Sequence, residues 1–260
     1  MIILEAAQVH EALNYPGFID SLETSFAGDF TMPQRQVMLL DETKQSHDAF
    51  AMLPAWNNEV IALKSFTYFP ENLSPDLSVY AKILLFSRKN GVPLAVVDGT
   101  AVTYYRTAGV SALASRLLSR PDSQHLFLLG TGNLAPYLIR AHASVRDLKK
   151  VTIWGRDVMK AGAVIDSVRG EFPEIEFEVT ESIENTCAHA DIIVSATGSP
   201  EILVKGAWVK PGTHCDFLGN HHADKRECDT ELILKSRVYL DNTDNCMKEA
   251  GEVLIPIKEE

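Results

Sequence analysis

The 260-residue sequence holds few cysteines, and Cys187, Cys215, Cys228 and Cys246 form no CxxC pair. That pattern excludes a disulfide framework and a zinc ribbon, and it fits a reducing, cytoplasmic setting. No apolar run approaches the roughly 18 residues of a membrane span. Positive charge is also short, with 24 basic residues against 35 acidic ones and a formal net charge of -11. A polyanionic backbone would be repelled, so no nucleic-acid partner is expected. The opening "MIILEAAQVHEAL" has no positive segment and soon meets Glu5, so no signal peptide is expected. Internal repeats and low-complexity tracts are missing too. What remains, 46% hydrophobic and 23% charged, is ordinary globular composition with room for two domains.

Two site chemistries are also excluded. His214, Cys215, His221, His222 and Cys228 crowd into one stretch, but their spacing matches no finger or ribbon. Adjacent residues such as His214 and Cys215 point oppositely on a strand, so no metal is expected. No G-x-S-x-G elbow exists for a hydrolase.

The first half reads as α+β. Helical spacing of Val9, Leu13, Phe18, Leu22 and Phe26 predicts helix over residues 6–26, with Pro16-Gly17 as the break. Strand-like runs follow at 37–40, 49–54, 60–66 and 79–86. Asn90-Gly91 between two apolar runs predicts a hairpin, and a helix is expected from near Thr100. After the polar, proline-containing "SRPDSQ" (119–124) strands and helices alternate regularly, which predicts a parallel sheet with helical crossovers. "GTHCDFLG" and "SRVYLDN" supply two further strand candidates. The expected fold is therefore α/β: a Rossmann-type NAD(P)-binding domain over 122–242 and an α+β domain over 1–121.

The motif "LLGTGNLAPYL" (128–138) sits between the first strand and first helix of that alternation. In a dinucleotide fold the first glycine makes the turn, the second admits the pyrophosphate, and a small third residue allows close helix packing. Gly130, Gly132 and Ala135 match those positions, with Thr131, Asn133 and Leu134 between them. A helix starting at Asn133 would aim its amides at the phosphates. The second strand ends in Gly155, Arg156 and Asp157. If Asp157 caps the next helix, Arg156 is left for a 2′-phosphate, which favours NADP(H) with NAD(H) possible. Ala196, Thr197 and Gly198 end the fourth strand, where the ribose and nicotinamide are expected.

The run "LAVVDGTAVTYYRTAGVSALASRLLSRPDSQHLFLLGTGNLAPYL", with "MLPAW…VIALK" and "GNHHADKRECD", resembles the ornithine cyclodeaminase/mu-crystallin family over nearly the whole chain. The resemblance implies a homodimer, a substrate-binding and dimerisation role for the first domain, and amino-acid or cyclic imino-acid chemistry. It implies that Lys64 is the active-site lysine and that Arg106 and Arg35 bind a substrate carboxylate. Bidentate arginine suits that task. It also implies that residues 243–260 begin a return to the first domain, with the rest of the family's tail missing. Cyclodeaminases carry two carboxylates for a diamine. Here their positions fall at Asn220 or His221 and at Ala51. That departure favours the imine-reducing branch, acting on 1-pyrroline-2-carboxylate or 1-piperideine-2-carboxylate, with Lys64 or His221 as proton donor. The alternatives are ornithine cyclisation, an alanine-type dehydrogenase, and a non-catalytic NADP-binding protein.

Overall fold

Two-residue alternation in the first half and buried apolar runs in the second give two different sheets. The computed structural model describes residues 1–41, 47–73, 75–220 and 222–259, and it contains two compact units, Met1–Gly109 and Val110–Glu260.

The first unit runs β1 (Ile2–Leu4), α1 (Ala6–Ala12), α2 (Tyr15–Ala27), β2 (Gln36–Leu39), β3 (Ala49–Trp56), β4 (Val60–Tyr68), β5 (Val79–Ser87) and β6 (Pro93–Asp98), then enters α3 (Gly99–Leu118). The sheet order is β1-β6-β5-β4-β3-β2, antiparallel except for the parallel β1-β6 pair. The expected β5-β6 hairpin forms, with Gly91 at φ 72. Pro16-Gly17 is not the helix break. Asn14 caps α2 by accepting from the Gly17 amide at 3.0 Å, and Pro16 lies in the first turn, where its missing N–H costs nothing. Pairing sets Lys64 opposite Leu53 and Ile83, in the sheet face that holds buried Ala51 and Ala81. The Thr100 hydroxyl of α3 accepts from the Ala81 amide at 2.9 Å. The other face carries Met52, Trp56, Ile61, Leu63, Leu84 and Phe86, all only half-buried.

The second unit continues with β7 (His125–Leu129), α4 (Ala135–Ala143), β8 (Lys150–Trp154), α5 (Val158–Val168), β9 (Glu176–Val179), α6 (Ile183–Cys187), β10 (Ile192–Ser195), β11 (His214–Phe217), α7 (Thr230–Leu234), α8 (Thr243–Glu249) and α9 (Gly251–Glu259). Its five strands are all parallel in the order β11-β10-β7-β8-β9. Leu126 to Leu129 and Ile192 to Val194 are fully buried, as expected where both faces of a parallel sheet are covered. The order reverses direction between β7 and β10, and ligands of such sheets bind beyond the carboxyl ends of the strands at that point.

Three further expectations differ from the structure. The units divide inside α3 and not after residue 121, because the helix bonds to second-unit groups from Ser111 onward. Ser111 Oγ lies 3.0 Å from His142 Nε2, and the Arg146 guanidinium donates to the Ser115, Arg116 and Ser119 carbonyls at 2.8 to 3.0 Å. Residues 243–259 group with the second unit and not the first: Arg226 pairs with Glu259 at 3.1 Å, and Glu252 accepts from the Glu227 amide at 3.0 Å. "SRVYLDN" (236–242) forms no strand, and Val238, Tyr239 and Leu240 are exposed with no neighbouring strand to cover them. Among the described residues no helix is long and apolar enough to cross a membrane.

Candidate active site

The glycine turn is built around backbone contact. Gly130 has φ 122, in the region that disfavours side chains, and its amide donates to the Trp154 carbonyl at 2.9 Å. A Cβ there would sit 2.5 Å from the Ala196 carbonyl oxygen. Gly132 is different, since a Cβ would meet nothing within 4 Å. The backbone thus opens a cradle at the second glycine. α4 starts at Ala135, two residues later than expected; its cap, Leu134, supplies no side-chain acceptor. No side chain caps this end, but the Ala135 amide donates to the Gly132 carbonyl at 3.0 Å and Pro136 has no N–H, so an anion here would be met chiefly by the amides of the glycine turn that leads into α4. Thr131 lies over Gly155, where a Cβ would come within 2.5 Å of its methyl. Asp157 caps α5, accepting from the Met159 and Lys160 amides at 2.9 and 3.3 Å, and exposed Arg156 stands beside it at the end of β8. These features fit the diphosphate and ribose of a dinucleotide.

Ala196, Thr197 and Gly198 follow β10, and Glu227 underlies them. Its carboxylate is fully buried and accepts from the Ser195 hydroxyl at 2.7 Å and from the Thr197 amide and hydroxyl at 2.9 and 2.6 Å. It also accepts from the Gly219 amide at 2.9 Å. Glu227 reads as a surface charge in "KRECD", and nothing in the residue pattern marks it as buried. His221 lies outside the described residues.

In the first unit Lys64 Nζ donates to Thr103 Oγ1 at 2.7 Å, and that hydroxyl donates to the Gly99 carbonyl at 2.6 Å. Burial, and next the Arg106 guanidinium, push the ammonium down to about 8. Thr103 and Arg106 are three residues apart, so they share one face of α3. Arg35 is exposed just before β2. One further step of the β2-β3 register sets it opposite Leu53, the partner of Lys64. Lys64 and Arg106 therefore come together, and Arg35 falls on the same sheet row. Thr103 escaped notice in the sequence; its spacing from Arg106 was the available signal.

The second unit encloses a buried polar cluster. Ser111 bonds His142 and Asp216, while Asp216 Oδ2, His142 Nδ1 and His214 Nε2 are enclosed with no partner among the described residues. Burial pushes the two imidazoles down to about 3 and 4 and the Asp216 carboxyl up to about 6. Because the folded-state value lies above the unfolded one, ionisation costs stability as pH rises from about 4 to 6, and the cost is complete above that. Asp216→Asn is expected to leave stability nearly unchanged at pH 4 and to raise it at pH 8, by up to about 3 kcal/mol. Denaturant melts at the two pH values check this, and equal effects at both would refute it.

One unit with an all-parallel sheet and a glycine turn at its switch point, and another of α+β type bearing paired cations, define a two-unit protein of the dinucleotide-binding class. The chain belongs to the ornithine cyclodeaminase/mu-crystallin family, whose model matches residues 1–260. It is 52% identical to the Delta(1)-pyrroline-2-carboxylate reductase of Colwellia psychrerythraea, covering 100% of this chain and 83% of that protein. It is 32% identical to ketimine reductase mu-crystallin of Mus musculus, covering 97% and 82%. The structure of Thermococcus litoralis Delta(1)-pyrroline-2-carboxylate reductase with NADH and L-proline matches with a TM-score of 0.91 at 29% identity, covering 100% of this chain and 81% of that one.

Proposed function

We propose that this chain is an NAD(P)H-dependent reductase of cyclic imino acids, taking 1-pyrroline-2-carboxylate or 1-piperideine-2-carboxylate to the cyclic amino acid. The observation that carries the reading is the Lys64-Thr103-Arg106 group, a partly desolvated ammonium beside a guanidinium in a chain so similar to a reductase of that substrate. Arg106 and Arg35 hold the carboxylate, whose planar oxygens match a guanidinium fork. A bound reduced nicotinamide would supply the hydride, and the chain must supply the proton. The Lys64 ammonium serves as that donor: the imine nitrogen takes its proton and leaves a neutral amine. A donor held near pH 8 is well matched to this task, since it is protonated at neutral pH yet releases its proton easily. Neither Ala51, fully buried in β3, nor Asn220 supplies a carboxylate for the second amine of ornithine.

The test is an NADPH-oxidation screen across both cyclic imines and pyruvate with ammonia, with ammonia release from L-ornithine measured in parallel in the presence of NAD+ or NADP+, since that cyclisation consumes no net reductant. Turnover of a cyclic imine with little on ornithine is expected. Conversion of ornithine to proline as the best activity would overturn the assignment.

NADPH is the preferred cofactor in this reading, because the Asp157 carboxylate is engaged at the start of α5 while Arg156 stands exposed at the end of β8. Arg156→Ala is expected to raise KM for NADPH about ten- to a hundred-fold, the usual worth of a charged hydrogen bond, and to affect NADH far less. Equal changes would mean that Arg156 does not read a 2′-phosphate. The half-buried apolar face of the first sheet supports a homodimer in which a second copy covers it. The free cysteines support a cytoplasmic location.

A further inference from the structure

Glu227 has an arrangement unlike an ordinary buried acid. Four donors from two separate segments converge on its carboxylate: Ser195 and Thr197 from the end of β10, and Gly219 from the turn after β11. Three bonds fall on Oε1 and one on Oε2, so each oxygen holds a different segment. The residue itself cannot drift. Its amide donates to Glu252 at 3.0 Å, and its carbonyl accepts from the Leu203 and Val204 amides at 2.9 and 3.0 Å. The segment it holds also touches the glycine turn, since the Ala196 carbonyl is the group against which Gly130 is packed. Beyond Gly219, Asn220 closes the turn by donating to the His222 carbonyl at 3.1 Å and to the Lys225 carbonyl.

We propose that Glu227 is a positioning residue: its carboxylate ties residues 195–197 to the Gly219 turn and so sets the loop against which the nicotinamide half of the cofactor rests. The inference builds on the proposed reductase reading, in which residues 196–198 face that half. A purely structural acid would stabilise the fold without discriminating between the two ends of the cofactor. A positioning acid acts on one end only. The adenosine half rests on the glycine turn and the end of β8; the Glu227 carboxylate bonds Ser195, Thr197 and Gly219, and it reaches the glycine turn only indirectly, through the Ala196 carbonyl.

Glu227→Gln keeps the shape and one acceptor oxygen, but it points an amide N–H at either the Gly219 amide or the three donors from β10. Expected is a loss of NADPH affinity of about ten-fold, in the range for a charge-assisted hydrogen bond, with a drop in kcat larger than any rise in KM for the imine. Affinity for adenosine 2′,5′-bisphosphate should stay within about two-fold of wild type, since none of its expected contacts involve the lost bond. Hydrogen exchange of the cofactor-free protein should speed up at Thr197 and Gly219 while the β7 and β8 amides hold. Glu227→Asp keeps the charge but cannot span both segments, and it should show the same split in a second folded variant. Equal losses for NADPH and the bisphosphate, or unchanged exchange at Thr197 and Gly219, would overturn the proposal. A wild-type chain that binds neither ligand would sink the reductase reading and this inference with it.

Discussion

Replacing Lys64 by methionine should cut kcat/KM for the cyclic imine at least about a hundred-fold, the usual contribution of a positioned acid, without weakening the fold. Lys64 is the charged residue of β4, and burial pushes its ammonium down to about 8. A lowered folded-state value means that the folded chain disfavours the charge. The penalty is complete below pH 8 and fades as pH rises towards the ordinary lysine value of 10.5. Methionine keeps the apolar stem and removes that penalty, so the melting temperature at neutral pH should hold or rise. Wild-type kcat/KM should fall as pH passes through about 8 and the proton leaves Lys64. The variant should lose that limb of the profile. Near-normal turnover by a stable Lys64→Met chain would remove Lys64 from the site and weaken the reductase assignment.

Local signals were legible where a single periodicity or a single turn decides the outcome. The Asn90-Gly91 hairpin, the cap at Asp157 and the strand-helix alternation after residue 124 all lie within one short window of sequence, and each forms as expected. Long-range partnership was not legible. Three residues at the N-terminus become β1 only because the edge of β6 is there to pair with them. "SRVYLDN" has strand-like alternation but finds no edge. The helix from Thr100 reads as one element, yet its two ends belong to different units, which only the partners of Ser111 can tell. Of the site, the glycine turn and the cations are visible as residue types in a pattern. Thr103 and Glu227 act through atoms brought from 39 and 30 positions away, and a charged or hydroxyl residue looks the same in sequence whether it is solvated or fully bonded.

The two glycines of the turn should lose cofactor binding for different reasons when given the same methyl group, and only one of them should lose stability. Gly130→Ala puts a side chain at φ 122 and 2.5 Å from the Ala196 carbonyl oxygen. The conformational cost alone is roughly 1–3 kcal/mol, and forcing atoms into a packed contact adds about as much. For a chain of this size the melting temperature should fall by on the order of ten degrees, and cofactor binding should fail as the turn distorts. Gly132→Ala meets no atom within 4 Å, so the fold should be unaffected. Its methyl instead enters the space that the second glycine of a dinucleotide turn leaves for the pyrophosphate. NADPH affinity should drop at least about ten-fold, because displaced phosphate oxygens lose charge-assisted bonds to the amides of the turn. Calorimetric titration and thermal melts on the two variants separate the effects. An unchanged melt for Gly130→Ala would refute the strain argument. Normal NADPH binding by Gly132→Ala would mean that the open cradle is not where the pyrophosphate lies.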